Sequence, residues 1–146
     1  MRKLFSTGLI VAALAAPSMV SAEQLKGLNV LVTSGDAQTQ MMAMVLSTMT
    51  INKHKKAVNL TLCGPAGDLA IKDMPSTPVK KPDGKSPTPK MAMMGLIKAG
   101  AKVELCPLYL PNAGKDQSAL VEGVTIAQPP MVAAKLLDSE FNNLTF

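Results

Sequence analysis

Apolar residues gather in short runs separated by longer segments of helical spacing. Leu28 to Ser34 is the first run. It is rich in Leu and Val, lies between Gly27 and Gly35, and reads as a buried strand. Asp36 then offers a helix cap, and a Met/Leu/Val stretch continues from Gln38 to about Ile51. The basic exit Lys53-His54-Lys55-Lys56 suits the negative end of a helix dipole. Ala57 to Leu62 is a second strand, ended by Cys63 and broken by Gly64-Pro65, with a short helix expected from Ala66 to Lys72.

Met74 to Pro89 holds Pro75, Pro78, Pro82, Pro87 and Pro89. No helix or inner strand tolerates that density of proline, so the pattern predicts a long exposed loop with freedom to move. Lys90 to Ala99 reads as a helix stopped by Gly100. Lys102 to Leu105 is a third strand, ending at Cys106-Pro107. A loop over Leu108 to Gly114, a helical turn near Asp116 to Leu120 and a fourth strand over Gly123 to Ala127 follow. Pro130 opens a helix running to about Leu137, and Asn143 to Phe146 is the last strand. Apolar strands alternating with helices predict an α/β domain with a parallel sheet covered on both faces.

The first 22 residues stand apart. Arg2 and Lys3 precede an apolar run from Leu4 to Ala16, Pro17 ends it, and Val20-Ser21-Ala22 offers small residues for cleavage. That is the pattern of a secretory signal peptide, so residues 1–22 are expected to be removed and residues 23–146 to form one domain outside the cytoplasm, in the periplasm. The apolar run falls short of the ~20 residues needed to span a membrane.

Composition narrows the chemistry. The formal charge is +5, and loss of Arg2 and Lys3 lowers it by two. Arg2 is the only arginine, and Trp is absent, so neither guanidinium forks nor stacking platforms are present for nucleic acid. The Lys53, Lys55, Lys56 cluster reads as a solvated helix end. The only histidine is His54, which rules out a Ser/His/Asp set beyond that residue, and no P-loop or G-x-G-x-x-G occurs. Hydrolase, kinase and dehydrogenase readings therefore lack their residues.

In parallel sheets, ligands bind beyond the carboxyl ends of the strands. Three junctions lie there: Ser34-Gly35-Asp36, Cys63-Gly64-Pro65 and Cys106-Pro107. The first is a candidate anion cradle and equally an ordinary helix cap. Cys106 is the candidate reactive thiol, with free strand-end N–H groups and Lys115 as possible sources of positive potential; a buried structural cysteine is the alternative. Cys63 and Cys106 together admit a structural disulfide, a redox or sulfur-handling pair, or a soft-metal pair, with no local motif for zinc. Met41, Met42, Met44, Met49, Met91, Met93 and Met94 invite a copper(I) reading, since thioethers and thiolates select that ion. Met41, Met44 and Met49 fall near one helical face, which favours core packing instead.

Leu96-Ile97-Lys98-Ala99-Gly100-Ala101-Lys102-Val103-Glu104-Leu105-Cys106 resembles the DsrE/DsrF-like (TusD/YchN-type) superfamily, whose mark is a helix, Gly-x-x-Val, a short strand and a strand-end cysteine. Val30 to Asp36 and Asn143 to Phe146 match the family's opening and closing strands. The resemblance implies a three-layer α/β/α domain with a five-stranded parallel sheet in the order 4-3-2-1-5. It further implies a trimer or hexamer, no cofactor, and a cysteine at Cys106 that carries sulfur as a persulfide between donor and acceptor proteins. The implied order makes the second and third strands neighbours, which sets Cys63 beside Cys106.

Overall fold

Every strand of the protein points the same way. The computed structural model describes residues 25–146, so the leader pattern of residues 1–22 lies outside the described residues. Strands β1 (Gly27–Val32), β2 (Ala57–Leu62), β3 (Lys102–Leu105), β4 (Val124–Ile126) and β5 (Phe141–Thr145) form one sheet in the order β4-β3-β2-β1-β5. All four pairings are parallel. The helices are α1 (Ala37–His54), α2 (Pro89–Lys98), the single turn α3 (Tyr109–Asn112) and α4 (Pro129–Leu136). Three-residue-per-turn helices occupy Gly64–Ala70 and Gln117–Ala119. The segment expected to be an α-helix after β2 is thus wound more tightly, with Pro65 at its start.

Helix ends are set by local chemistry. The Asp36 carboxylate accepts from the Thr39 N–H at 2.8 Å and opens α1; the Thr88 hydroxyl accepts from the Met91 N–H at 3.1 Å and opens α2. Gly100 follows α2 at φ +96°, a conformation that L side chains rarely adopt. The core lies between the sheet and the α1/α2 layer. Val30, Val32, Leu60, Leu62, Val103 and Leu105 meet Ala43, Met44, Met93 and Leu96 there, all of them buried. Met41 is buried too, as expected, but Met49 turns outward and is 41% exposed, so the core stripe of α1 runs through Gln40, Met44 and Ser47 instead.

The opposite sheet face is polar, which the apparent run of apolar residues hid. Asn59, Asn29 and Asn143 stand abreast on β2, β1 and β5. Asn59 Nδ2 donates to Asn29 Oδ1 at 2.9 Å, and Asn29 Nδ2 donates to Asn143 Oδ1 at 3.0 Å. Asn29 Nδ2 also reaches the Lys135 carbonyl, and Asn143 Nδ2 the Leu136 carbonyl at 2.7 Å. The ladder therefore satisfies the last carbonyls of α4, which have no partner within their own helix. Lys135 Nζ closes the contact on Glu104 Oε2 at 2.7 Å. This face is covered by α4, a helix of 8 residues with none buried.

The proline-rich stretch doubles back on itself. The Val79 N–H donates to the Pro87 carbonyl at 3.0 Å and the Lys81 N–H to the Lys85 carbonyl at 2.8 Å, with Gly84 turning the tip at φ +81°. Lys90 Nζ ties its root to the Ile71 and Met74 carbonyls. The stretch is exposed as expected, and its backbone is paired where an irregular loop was anticipated.

Asn29→Ala removes a donor and an acceptor from the buried ladder. It should lower unfolding free energy by about 1–3 kcal/mol in a urea titration at neutral pH. A change smaller than measurement error would show that α4 is held by other contacts.

Candidate functional site

Register brings the two cysteines together. Leu62 pairs with Leu105 at the end of the β2–β3 ladder, so the next residue on each strand is a cysteine. The ladder runs one step further: the Cys63 N–H donates to the Val32 carbonyl at 2.9 Å, and the Cys106 N–H to the Leu62 carbonyl at 2.8 Å. Both amides are thereby consumed, and the free strand-end N–H groups expected beside Cys106 are not its own. Gly64, at φ +53°, turns the chain away immediately after Cys63. Pro107 and the bond from the Tyr109 N–H to the Cys106 carbonyl at 3.0 Å do the same after Cys106.

Both cysteines are free thiols and partly exposed. The Cys63 S–H donates to the Cys106 sulfur. Burial, that hydrogen bond and the charge of a Cys106 thiolate together push the Cys63 thiol up to about 11. Cys63 is therefore the proton holder of the pair, and its S–H is the positive pole that a Cys106 thiolate meets. Lys115, expected to lend charge, is not in the walls of the cavities around Cys106.

Two cavities open on the pair. One of about 540 Å³ is walled by Gly64, Pro65, Leu108, Tyr109 and Asn112. The other, of about 470 Å³, runs between the sheet and α4 past Leu31, Pro107, Leu108, Val132 and Leu136. A cavity of about 410 Å³ at the opposite end of the strands carries His54 and Lys56, far along the sheet from the thiols.

Tyr109 and its support went unnoticed in the sequence. The Tyr109 hydroxyl donates to Asp68 Oδ1, and its ring lies on Gly67, where an added Cβ would come within 2.1 Å of the ring. Burial, followed by the Asp68 bond and charge, pushes the phenol up to about 12. Asp68 and Gly67 belong to the tight helix after Cys63 and Tyr109 follows Cys106, so the pair fastens the two strand ends together. A tyrosine three residues past a strand-end cysteine was the only signal available.

Ser34, Gly35 and Asp36 sit at the same end of the sheet but serve α1. The Ser34 hydroxyl accepts from the Asp36 N–H at 3.1 Å, the Ser34 carbonyl accepts from Gln40 Nε2 at 2.9 Å, and Asp36 caps the helix. The cap bonds hold the Asp36 carboxyl below its ordinary range. Gly35 packs on Pro65, with an added Cβ at 3.0 Å. None of the three lines the thiol cavities. Met41 and Met44 lie in the core, so the methionines and cysteines of the copper reading are not brought together. Among the described residues no three His, Cys, Asp or Glu side chains gather into a metal site, and no helix is long and apolar enough to cross a membrane.

No family model matches the chain, and no curated protein matches it. Solved structures do. The ychN protein from E. coli superposes with a TM-score of 0.60 at 20% identity, covering 82% of this chain and 99% of that one. A protein of unknown function from Methanobacterium thermoautotrophicum, MTH1491, gives 0.59 at 11% identity, covering 82% and 98%. The chain has a DsrE-like fold. Strand order 4-3-2-1-5 and the neighbouring strand-end cysteines are as the resemblance implied. Within this DsrE-like fold, Cys106 closes the third strand and Cys63 the second.

Tyr109 is the only tyrosine and Trp is absent, so ultraviolet absorbance titrates one phenol. Ionisation should centre near pH 12. The raised value means that the folded protein keeps the neutral phenol while an unfolded chain has already ionised, so this part of the stability is lost as pH climbs from about 10 toward that midpoint. Asp68→Asn should move the midpoint down toward the ordinary value; an unmoved midpoint would detach Asp68 from the ring.

Proposed function

We propose that this DsrE-like chain carries sulfane sulfur, or exchanges thiols, at Cys106, with Cys63 as its proton-holding neighbour and resolving thiol. The observation that carries this reading is the Cys63–Cys106 contact at the carboxyl edge of the sheet, open to two cavities. A thiolate nucleophile needs access and a nearby donor. Cys106 has both: partial exposure, and the Cys63 S–H. Once sulfur is loaded, attack by Cys63 on Cys106 releases it and leaves a disulfide. Such a protein is a carrier more than an enzyme, and needs donor and acceptor partners.

Two further parts of the proposal rest on other features. The leader pattern of residues 1–22 supports export to the periplasm. The outer face of α1, with Met42, Leu46 and Met49 exposed and no charge before Lys53, supports a homo-oligomer. Nucleic acid and membrane are not among the proposed partners.

One measurement reads all three. Native mass spectrometry of the protein recovered from the periplasm should give several copies of a chain starting at Glu23. After treatment with a sulfane donor, each copy should gain one sulfur. Cys106→Ser should abolish that gain while the fold survives, and Cys63→Ser should retain it and slow its release. Undiminished loading in Cys106→Ser would reject the carrier reading; a full-length monomer would reject export and assembly.

A further inference from the structure

The walls around the thiols carry no charge. The cavity between the sheet and α4 is lined by Leu31, Pro107, Leu108, Val132, Ala133 and Leu136 besides the cysteines, with Thr61, Ala127 and Pro129 completing it. In the cavity on the other side, the polar groups are spent within the protein: Asn112 Nδ2 donates to the Leu108 carbonyl at 2.7 Å, and the Tyr109 hydroxyl is held by Asp68. The nearest ammonium along the α4 wall is that of Lys135, and Glu104 neutralises it at 2.7 Å. No arginine exists beyond Arg2 to bind a carboxylate.

An anion placed against Cys106 therefore loses water and gains no partner, which is costly in an apolar site. An uncharged apolar molecule loses nothing and gains burial. A volume of about 470 Å³ falls within the range of small-molecule sites.

We infer that the cleft selects an uncharged, apolar organic polysulfide or disulfide as the sulfur donor at Cys106, and discriminates against carboxylate-bearing thiol carriers. The inference rests on the thiol reading above and names its substrate class. For a trisulfide R–S–S–S–R the step balances without an external oxidant. The Cys106 thiolate bonds the central sulfur, one S–S bond breaks, and its electron pair leaves on RS⁻. That thiolate takes up the proton that Cys106 released, so the products are RSH and a Cys106 trisulfide that holds the sulfane sulfur. The cleft accommodates R; Cys63 faces the newly loaded atom.

Two aromatic disulfides of similar size separate the possibilities: dithiodipyridine, which is uncharged at neutral pH, and dithiobis(nitrobenzoate), which carries two carboxylates. Each rate on the reduced full-length domain is divided by the same reagent's rate with mercaptoethanol, and the adduct is assigned to its cysteine by mass. The uncharged reagent should be favoured by about tenfold or more. Leu136→Lys places a cation at the exposed rim and should narrow that ratio severalfold. A ratio near one with both reagents fast overturns the selectivity while leaving Cys106 reactive, and means that the thiols meet a partner at the open surface. Failure of both reagents to label Cys106 overturns the thiol reading itself.

Discussion

Parallel pairing of β2 with β3 in a single register, Leu62 against Leu105, is the constraint on which the site depends. A parallel ladder holds neighbouring strands about 4.8 Å apart, and a slip of one residue would send every side chain to the other face. Here the two strands end level, each on a cysteine whose amide is the last donor of the ladder. The chain then leaves abruptly, through left-handed Gly64 on one strand and Pro107 on the other. The thiols are consequently fixed by backbone geometry and uncovered by turns, a combination that neither strand could provide alone. Tyr109 and Asp68 fasten the two departing segments to each other and keep the mouth of the site in one shape.

The two faces of the sheet divide the work. The α1/α2 side carries the buried Val, Leu and Met residues and supplies the hydrophobic stabilisation. The α4 side is held by few and directional contacts: three asparagines in a row, two helix-end carbonyls and the Lys135–Glu104 pair. Hydrogen bonds fix the position of α4 without filling the space beneath its first turns. That leaves an apolar cleft between Val132, Leu136 and Leu31 leading to the thiols. A better-packed helix would stabilise the domain and close the site.

Most of the fold was legible because strand and helix periods are strong local signals. Leu28 to Val32, Ala57 to Leu62 and Lys102 to Leu105 each stand out against glycine and proline boundaries, and the elements came in a recognisable order. The site was legible only in part. Strand-end cysteines can be placed by topology once the strand order is implied, but their hydrogen bond cannot. The Asn29, Asn59 and Asn143 ladder escaped because its members are 30 and 114 residues from Asn29 and acquire meaning only from register. Gly67 likewise reads as an unremarkable glycine until the Tyr109 ring lies on it. Met49 shows the limit of reading one helix face by eye: α1 is uncharged over most of its length, so its inner and outer sides look alike in sequence.

The contact between the two thiols can be tested without knowing any substrate. The reduced protein, treated with one equivalent of diamide, is digested without reductant and its peptides are weighed. The expected result is a loss of two hydrogens per chain and one crosslinked peptide pair joining Cys63 to Cys106 of the same chain. A protein that remains fully reduced, or that crosslinks only between chains, would contradict the placement of the two thiols in contact at the ends of β2 and β3.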